Sequence, residues 1–349
     1  MTLTRYLYVK EEVIAAILTS IMERNNDASF WVFELYYSGF ENETIELIWT
    51  IYYSLFAVLN PDLESYLLEH LVIKEEEEEE EEDKKNLQNI HTVIQTLLIR
   101  PYDTDVFLLH KIALYLDYDV DNAIFDLTTM SYMDLAVYII THPADCDALM
   151  KRVCLHFVKP CWKWVVVDKM KPLVLLSKCM HFYSTASGRR KCRRFYISVP
   201  QTEFKQYETV ETPPAYKILR MVCLPVDPCH YLSLFETPRH RTMTALKMYH
   251  SHWLYYASGS PIWRMRIVRY GGVIGANAIS FPVDGAEESF YDKYDYEPDE
   301  QTMEVQYRNM QPIQAIQDWV QFIRKGLFPK TDGDQEMISL LPIQCIRII

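Results

Sequence analysis

The chain has 349 residues, 49% of them hydrophobic, and a formal net charge of −13, so it can build a sizeable core and is too apolar to be a disordered chain. That charge excludes broad, non-specific coating of nucleic acid, which needs a positive footprint, but leaves room for a local basic site. Nine glycines are few against the roughly 7% of an average protein, and sheet-rich folds use glycine in turns and phosphate loops, so composition points to helices.

The first strong element is "DASFWVFELYYSG", residues 27–39. It reads as a helix with Asp27 or Ser29 near its N-cap and Gly39 just past its end, where a left-handed residue is cheap. Asn42 is placed to cap the next helix, "ETIELIWTIYYSLFAVLN", which should close at Asn60 because Pro61 pushes its predecessor out of helical geometry. Both helices are apolar around most of their circumference. The pair is expected to form the central hairpin of a helical domain, with any leftover aromatic face covered by another subunit. Its longest uncharged apolar run, "LIWTIYYSLFAVL", falls short of the ~20 residues that cross a bilayer, so no membrane span is expected.

A helix "PDLESYLLEHLVI" leads into "KEEEEEEEEDKK", residues 74–85. Glu75, Glu76, Glu77, Glu78, Glu79, Glu80, Glu81 and Glu82 repel one another and cannot enter a core, so the run reads as a solvated linker or helix extension. A docking strip for a basic protein partner and mimicry of nucleic acid are its functional alternatives. Helical periodicity resumes in "NLQNIHTVIQTLLIR" and continues through "TDVFLLHKIALYL", "DNAIFDLT" and "SYMDLAVYIITH". Residues 1–142 are therefore expected to be an N-terminal helical domain carrying the acidic linker.

From 143 to 238 the texture changes. "WKWVVVDKM", "PLVLLSKCMHFY", "RRFYISVP" and "YKILRMVCLPV" are short and rich in Val and aromatics, and periodicity alone cannot separate strands from short buried helices there. Residues 239–349 return to helix in "RTMTALKMYHSHWLYYASGSPIWRMRIVRY", with a break at Ser258 to Pro261. A loop with Gly271, Gly272 and Gly275 follows, then a final helix with Pro298 near its start and Pro312 kinking or splitting it. The C-terminal segment is expected to pack with the middle one as one domain. The fold class is mostly α, an irregular multi-helix domain with a mixed, strand-containing middle segment.

No complete catalytic or cofactor motif emerges. Asp117, Asp119 and Asp121 sit at the first ligand positions of a calcium loop, but Asn122 replaces its glycine and Thr128 its bidentate glutamate, so these carboxylates read as helix caps. Cys154, His156, Cys161, Cys179 and His181 are zinc-ligand types without zinc spacing and read as buried residues. His250 and His252, two apart, point to different sides of a helix. The eight cysteines show no paired spacing, and the charges in "MTLTRYLYVKEEVIAAIL" interrupt any signal-peptide core, which reads as reduced thiols in a cytosol-like compartment. No cofactor or metal is expected. The block "GRRKCRRFY" sets Arg189, Arg190, Lys191, Arg193 and Arg194 beside Phe195 and Tyr196. Cations next to stackable rings suit phosphate and base contacts, a protein partner, or a solvated loop.

The stretches "FWVFELYYSGFENETIELIWTIYYSLFAVLNPDLESYL", "HSHWLYYASGSPIWRMRIVRYGG" and "FYDKYDYEPDEQTMEVQYRN" resemble segments of helical proteins encoded by nucleocytoplasmic large DNA viruses. The resemblance implies a viral protein made in the cytoplasm of an infected cell and a candidate for packaging in the virion. It transfers no functional residues. Together these readings give a non-enzymatic structural or adaptor protein acting through contacts with viral proteins or with itself. The alternative is an accessory protein for viral transcription or DNA handling that touches nucleic acid through residues 189–194. An enzyme assembled from scattered Cys, His and Asp residues is the third reading.

Overall fold

The computed structural model describes residues 2–71, 80–103, 105–107, 109–110, 132–142, 170–186, 205–209 and 251–294. Of these, 68% are helical, which makes the fold mostly α. Among the described residues, no helix is long and apolar enough to cross a membrane. The chain divides into two compact units, and the described parts of the first are residues 2–44, 205–209 and 251–294.

In the first unit, α1 (Lys10–Glu23) opens with Glu11 and Glu12 at its positive end and stops at Arg24, which takes left-handed geometry at φ 58°. The second helix, α2 (Asp27–Tyr36), packs against α1. Its N-cap is Asn26, and Asn25 Oδ1 accepts the Asp27 amide at 3.0 Å. Asp27 is therefore the first helical residue, and Ser29 lies inside the helix rather than at its cap. Beyond the helix end, Gly39 has a φ of 91°, as the sequence anticipates. Helix α3 (Glu41–Ile51) begins one residue before the expected cap. The Phe40 carbonyl accepts the Thr44 amide at 2.8 Å, so Asn42 sits in the first turn.

Before α1 the chain makes a tight bend. Leu3 bridges Val9 in antiparallel fashion, and the Thr4 amide donates to the Tyr8 carbonyl at 2.8 Å. Leu7 closes the bend at φ 64°, a left-handed conformation costing a side-chain-bearing residue about 1–2 kcal/mol. Full burial of its side chain holds it there. It packs with Leu3, Val9, Trp253, Leu254, Trp263, Ile267 and Phe290. Leu3 and Val9 belong to the bend itself; the other partners come from α8 (Trp253–Ala257), α9 (Pro261–Arg269) and a later helix, Ala286–Lys293. The break between α8 and α9 falls where Ser260 turns extended and Pro261 takes the first helical position. Strands β1 (Val273–Ile274) and β2 (Ile279–Ser280) form an antiparallel hairpin pairing Val273 with Ser280. That hairpin occupies the glycine-containing loop of the sequence reading, and Ala286–Lys293 was not anticipated as a helix.

The described parts of the second unit are residues 45–71, 80–103, 105–107, 109–110, 132–142 and 170–186. Helix α3 passes directly into a π-helical turn over Tyr52–Phe56, where the Ala57 amide donates to the Tyr52 carbonyl at 2.8 Å. The segment ends at Asn60, before Pro61. Next come α4 (Leu63–His70), α5 (Glu80–Ile99), α6 (Tyr132–Thr141) and α7 (Lys171–Ala186). Helix α7 packs on α6 and on the π turn, and α4 packs on α5. The "PLVLLSKCMHFY" stretch, ambiguous in sequence, is thus part of a helix, buried from Leu173 to His181. One expectation needs correcting. The helices read as a central hairpin do not share one unit, because α2 pairs with α1 in the first and α3 from Ile45 onward belongs to the second.

Candidate functional site

Much of what the sequence singles out lies outside the described residues: Arg189, Arg190, Lys191, Arg193 and Arg194, the acids Glu75 to Glu79, the Asp117 to Thr128 string, Cys154, His156, Cys161 and His250. Glu80, Glu81 and Glu82 form the first turn of α5, so the acidic run continues as a helix extension at its C-terminal end. Cys179 and His181 are buried in α7, and His181 Nδ1 lies 2.7 Å from the Val58 carbonyl. Among the described residues, no group of His, Cys, Asp and Glu converges as a metal-ligand set.

What the first unit does assemble is a charged clamp that the sequence gives no hint of. Glu34 is fully buried on α2, in the middle of the aromatic run. Its Oε2 accepts Arg5 Nε at 2.8 Å, and its Oε1 accepts the Tyr6 amide at 2.9 Å. Arg5 also donates through Nη1 to the Glu208 carbonyl at 2.7 Å and through Nη2 to the Tyr207 carbonyl at 2.5 Å. Its guanidinium lies over the rings of Tyr6 and Tyr37, 4.6 and 4.7 Å from their centroids. Burial pushes the Glu34 carboxyl above its ordinary range, against the opposing pull of Arg5 and of hydrogen bonds from Thr4, Arg5 and Tyr6. Such a pair fixes where the N-terminal bend and residues 207–208 sit on α2. Three of the five Arg5 N–H groups are taken by the protein itself, within a buried pair, so the clamp serves as a lock between the bend, α2 and residues 207–208.

A second polar cluster stitches the π turn into the second unit. Tyr53 Oη donates to Glu64 Oε1 at 2.7 Å, and Lys178 Nζ donates to Glu64 Oε2 at 2.8 Å. Tyr52 Oη donates to the Asn60 carbonyl at 3.0 Å. Asn60 Nδ2 donates to the Phe56 and Pro101 carbonyls, and its Oδ1 accepts Arg100 Nη1 at 3.2 Å. Burial and the neighbouring Glu64 carboxylate push both phenols well above their ordinary range. Both hydroxyls serve as donors, which ties the π turn to Asn60 and Glu64. π turns recur at functional sites because they re-aim side chains; here the turn aims Tyr52 and Tyr53 at carbonyl and carboxylate acceptors.

The surface with capacity to spare is α9. Its inner side buries Trp263 and Ile267, and Trp263 Nε1 donates to the Thr4 carbonyl at 3.0 Å. Arg266 lies over Trp263 and Tyr294, 4.6 and 4.9 Å from their centroids, and burial lowers its pKa from the ordinary arginine value. The outer side is different. Arg264, Met265, Val268 and Arg269 are exposed, with Met265 at 57% and Val268 at 60%. Val273 and Val283, in the hairpin segment that follows, are 53% and 63% exposed. Singly exposed apolar side chains are ordinary, but Met265 and Val268 lie one turn apart on one face, and adjoining apolar groups are what interaction surfaces carry. The stretch lies inside a helix that the sequence does suggest, and the 3–4 spacing of Pro261, Arg264, Met265 and Val268 marks them as one face without saying that it is the outer one.

No protein-family model, curated protein or solved structure matches the chain.

Proposed function

We propose that the chain is a non-enzymatic structural or adaptor protein that works through protein–protein contacts, in the setting of a large DNA virus. The observation that supports this reading is the outer side of α9. There Met265 and Val268 stand in water on a helix whose inner side is locked into a core. Leaving two such side chains exposed forgoes their burial, about 25 cal/mol for each Å² of apolar surface, which a partner would recover. The buried Arg5–Glu34 lock, in the same unit as α9, fits a rigid support for such a face. The viral setting and the cytoplasm of the infected cell rest on the resemblance of sequence segments alone. Density-gradient fractionation of infected cells carrying a tagged chain tests the reading. Co-sedimentation with particles or assembly intermediates is the expected result, and a chain that stays free of every large complex refutes it.

The alternative is an accessory nucleic-acid-binding role, favoured by the cations at 189–191 and 193–194 beside Phe195 and Tyr196. It requires salt-dependent binding to duplex DNA that is lost when Arg189, Arg190, Arg193 and Arg194 are changed to alanine. Each lost phosphate contact would lower the salt slope by about 0.9.

A further inference from the structure

We propose that the outer stripe of α9 is a docking site for an acidic, amphipathic helical segment of a partner protein, an inference that rests on the adaptor reading and names the chemistry of its partner. Pro261, Arg264, Met265 and Val268 are spaced i, i+3, i+4 and i+7, so they form one face of the helix, and Arg269 flanks it. A solvated helix normally turns charged and polar residues outward. This face instead brackets two large apolar side chains between two arginines.

Its composition separates a protein partner from a nucleic acid. Met and Arg are enriched in protein interfaces and Lys is depleted, and α9 carries Met265 with Arg264, Arg266 and Arg269 and no lysine. A phosphate backbone would use the arginines but would gain nothing from Met265 and Val268. Charge then selects among protein partners. No Asp or Glu occurs between Ser251 and Val283, in a chain whose formal net charge is −13. Acids resume at Asp284, Glu287, Glu288 and Asp292, so the positive charge is confined to the outer face of α9, where Arg264 and Arg269 attract segments bearing Asp and Glu and repel basic ones. The partner therefore pairs apolar anchors one turn apart, to cover Met265 and Val268, with carboxylates placed to reach Arg264 and Arg269.

The platform is built before the partner arrives. Pro261 sets the first turn, the Ile262 amide donates to the Ser38 carbonyl at 3.2 Å, and Trp263 is tied to Thr4. Binding here need not order the receiving side, which keeps its entropic cost low. With 9 residues the helix spans about 14 Å, enough for two or three turns of a partner. The footprint is small, and the contact is expected to be reversible.

Fluorescence anisotropy with the full chain tests this directly. The probe is a labelled helical peptide with leucines at i, i+4 and i+7 flanked by glutamates. Its comparators are a glutamate-only peptide of equal charge, the same peptide with lysine for glutamate, and a short DNA duplex. The expected result is saturable binding of the Leu/Glu peptide and binding weaker by about tenfold or more for the Leu/Lys form. Arg264→Glu with Arg269→Glu, and separately Met265→Ser with Val268→Ser, should each weaken the Leu/Glu peptide by about tenfold. Because all four positions are exposed, circular dichroism and melting temperature should match wild type. The proposal is overturned if either double variant binds the peptide as wild type does, or if the glutamate-only peptide binds equally well. It is also overturned if only DNA binds and only the arginine variant loses it, or if the wild-type chain self-associates through this face and Met265→Ser with Val268→Ser abolishes that. Particle co-sedimentation without peptide binding sinks this inference alone; peptide binding by a chain found free of particles sinks the adaptor setting and leaves the docking site standing.

Discussion

Truncating Arg5 to alanine is the sharpest perturbation of the first unit. Glu34 is fully buried, and its nearest cation is the Arg5 guanidinium at 2.8 Å. Removing one partner of a buried ion pair typically costs about 3–5 kcal/mol, because the remaining charge is left uncompensated. The carbonyls of Tyr207 and Glu208 lose their donors in the same step. Protonation of Glu34 relieves part of this, and that gives the loss a sign in pH. Burial already holds the carboxyl above its ordinary range, and Arg5 is the largest influence holding it down, so the variant's Glu34 titrates higher still. Above the ordinary carboxylate pKa the native variant then keeps a proton that the unfolded chain has released. Its stability therefore falls as pH rises toward the folded pKa, by at most about 1.4 kcal/mol per pH unit. Wild-type Glu34 is itself raised, so urea unfolding followed by circular dichroism should show the Arg5→Ala penalty growing as pH rises from the folded titration of wild-type Glu34 to the higher one of the variant. Arg5→Lys should recover little, since an ammonium cannot reach Glu34 and both carbonyls at once. A penalty below about 1 kcal/mol at every pH would mean that the pair does not hold the bend on α2.

Gly39→Ala should destabilise by about 2–4 kcal/mol in thermal unfolding, from left-handed strain plus overpacking, because the new Cβ would lie 2.5 Å from the Pro261 Cβ. Tyr53→Phe removes a 2.7 Å donor to Glu64 and should cost about 1–3 kcal/mol, with amide exchange in the π turn rising while α1 and α2 are unaffected. Trp49→Ala empties a site that is 2% exposed and stacked on Tyr53 at 5.6 Å. It should cost about 3–5 kcal/mol and yield poorly soluble protein, and a soluble, equally stable variant would mark the ring as part of an interface.

Helices were legible where they are long and periodic or are ended by proline or glycine. The stop at Asn60, the left-handed Gly39 and the break before Pro261 all follow from local backbone chemistry, which acts over a few residues and so is written in a few residues. The π turn at Tyr52–Phe56 was not legible. Every position from 51 to 57 is apolar, aromatic or small, and nothing in that string distinguishes a wider turn from an ordinary one. Its register is fixed by where Tyr52, Tyr53 and Asn60 find acceptors. Helix Ala286–Lys293 was missed for a related reason. It buries a single described residue, Phe290, and one anchor makes no periodic pattern.

Sites built by long-range pairing are the hardest to read, and the two charged clusters show why. Glu34 in sequence is a lone carboxylate among aromatics, and its meaning depends on Arg5, 29 positions earlier. Lys178 reaches Glu64 across 114 positions. Each is an ordinary surface residue type until the fold withdraws it from water, and only then does its partner become obligatory. The α9 face runs the other way. Its arginines, its apolar pair and the absence of acids within the helix are local and visible, but helical spacing does not say which side faces the core. The structure supplies that one fact by burying Trp263 and Ile267, and what remains outward is the combination that a soluble helix would otherwise avoid. Locks are therefore read from the folded chain, whereas a docking face can be read from sequence as soon as the buried side of its helix is known.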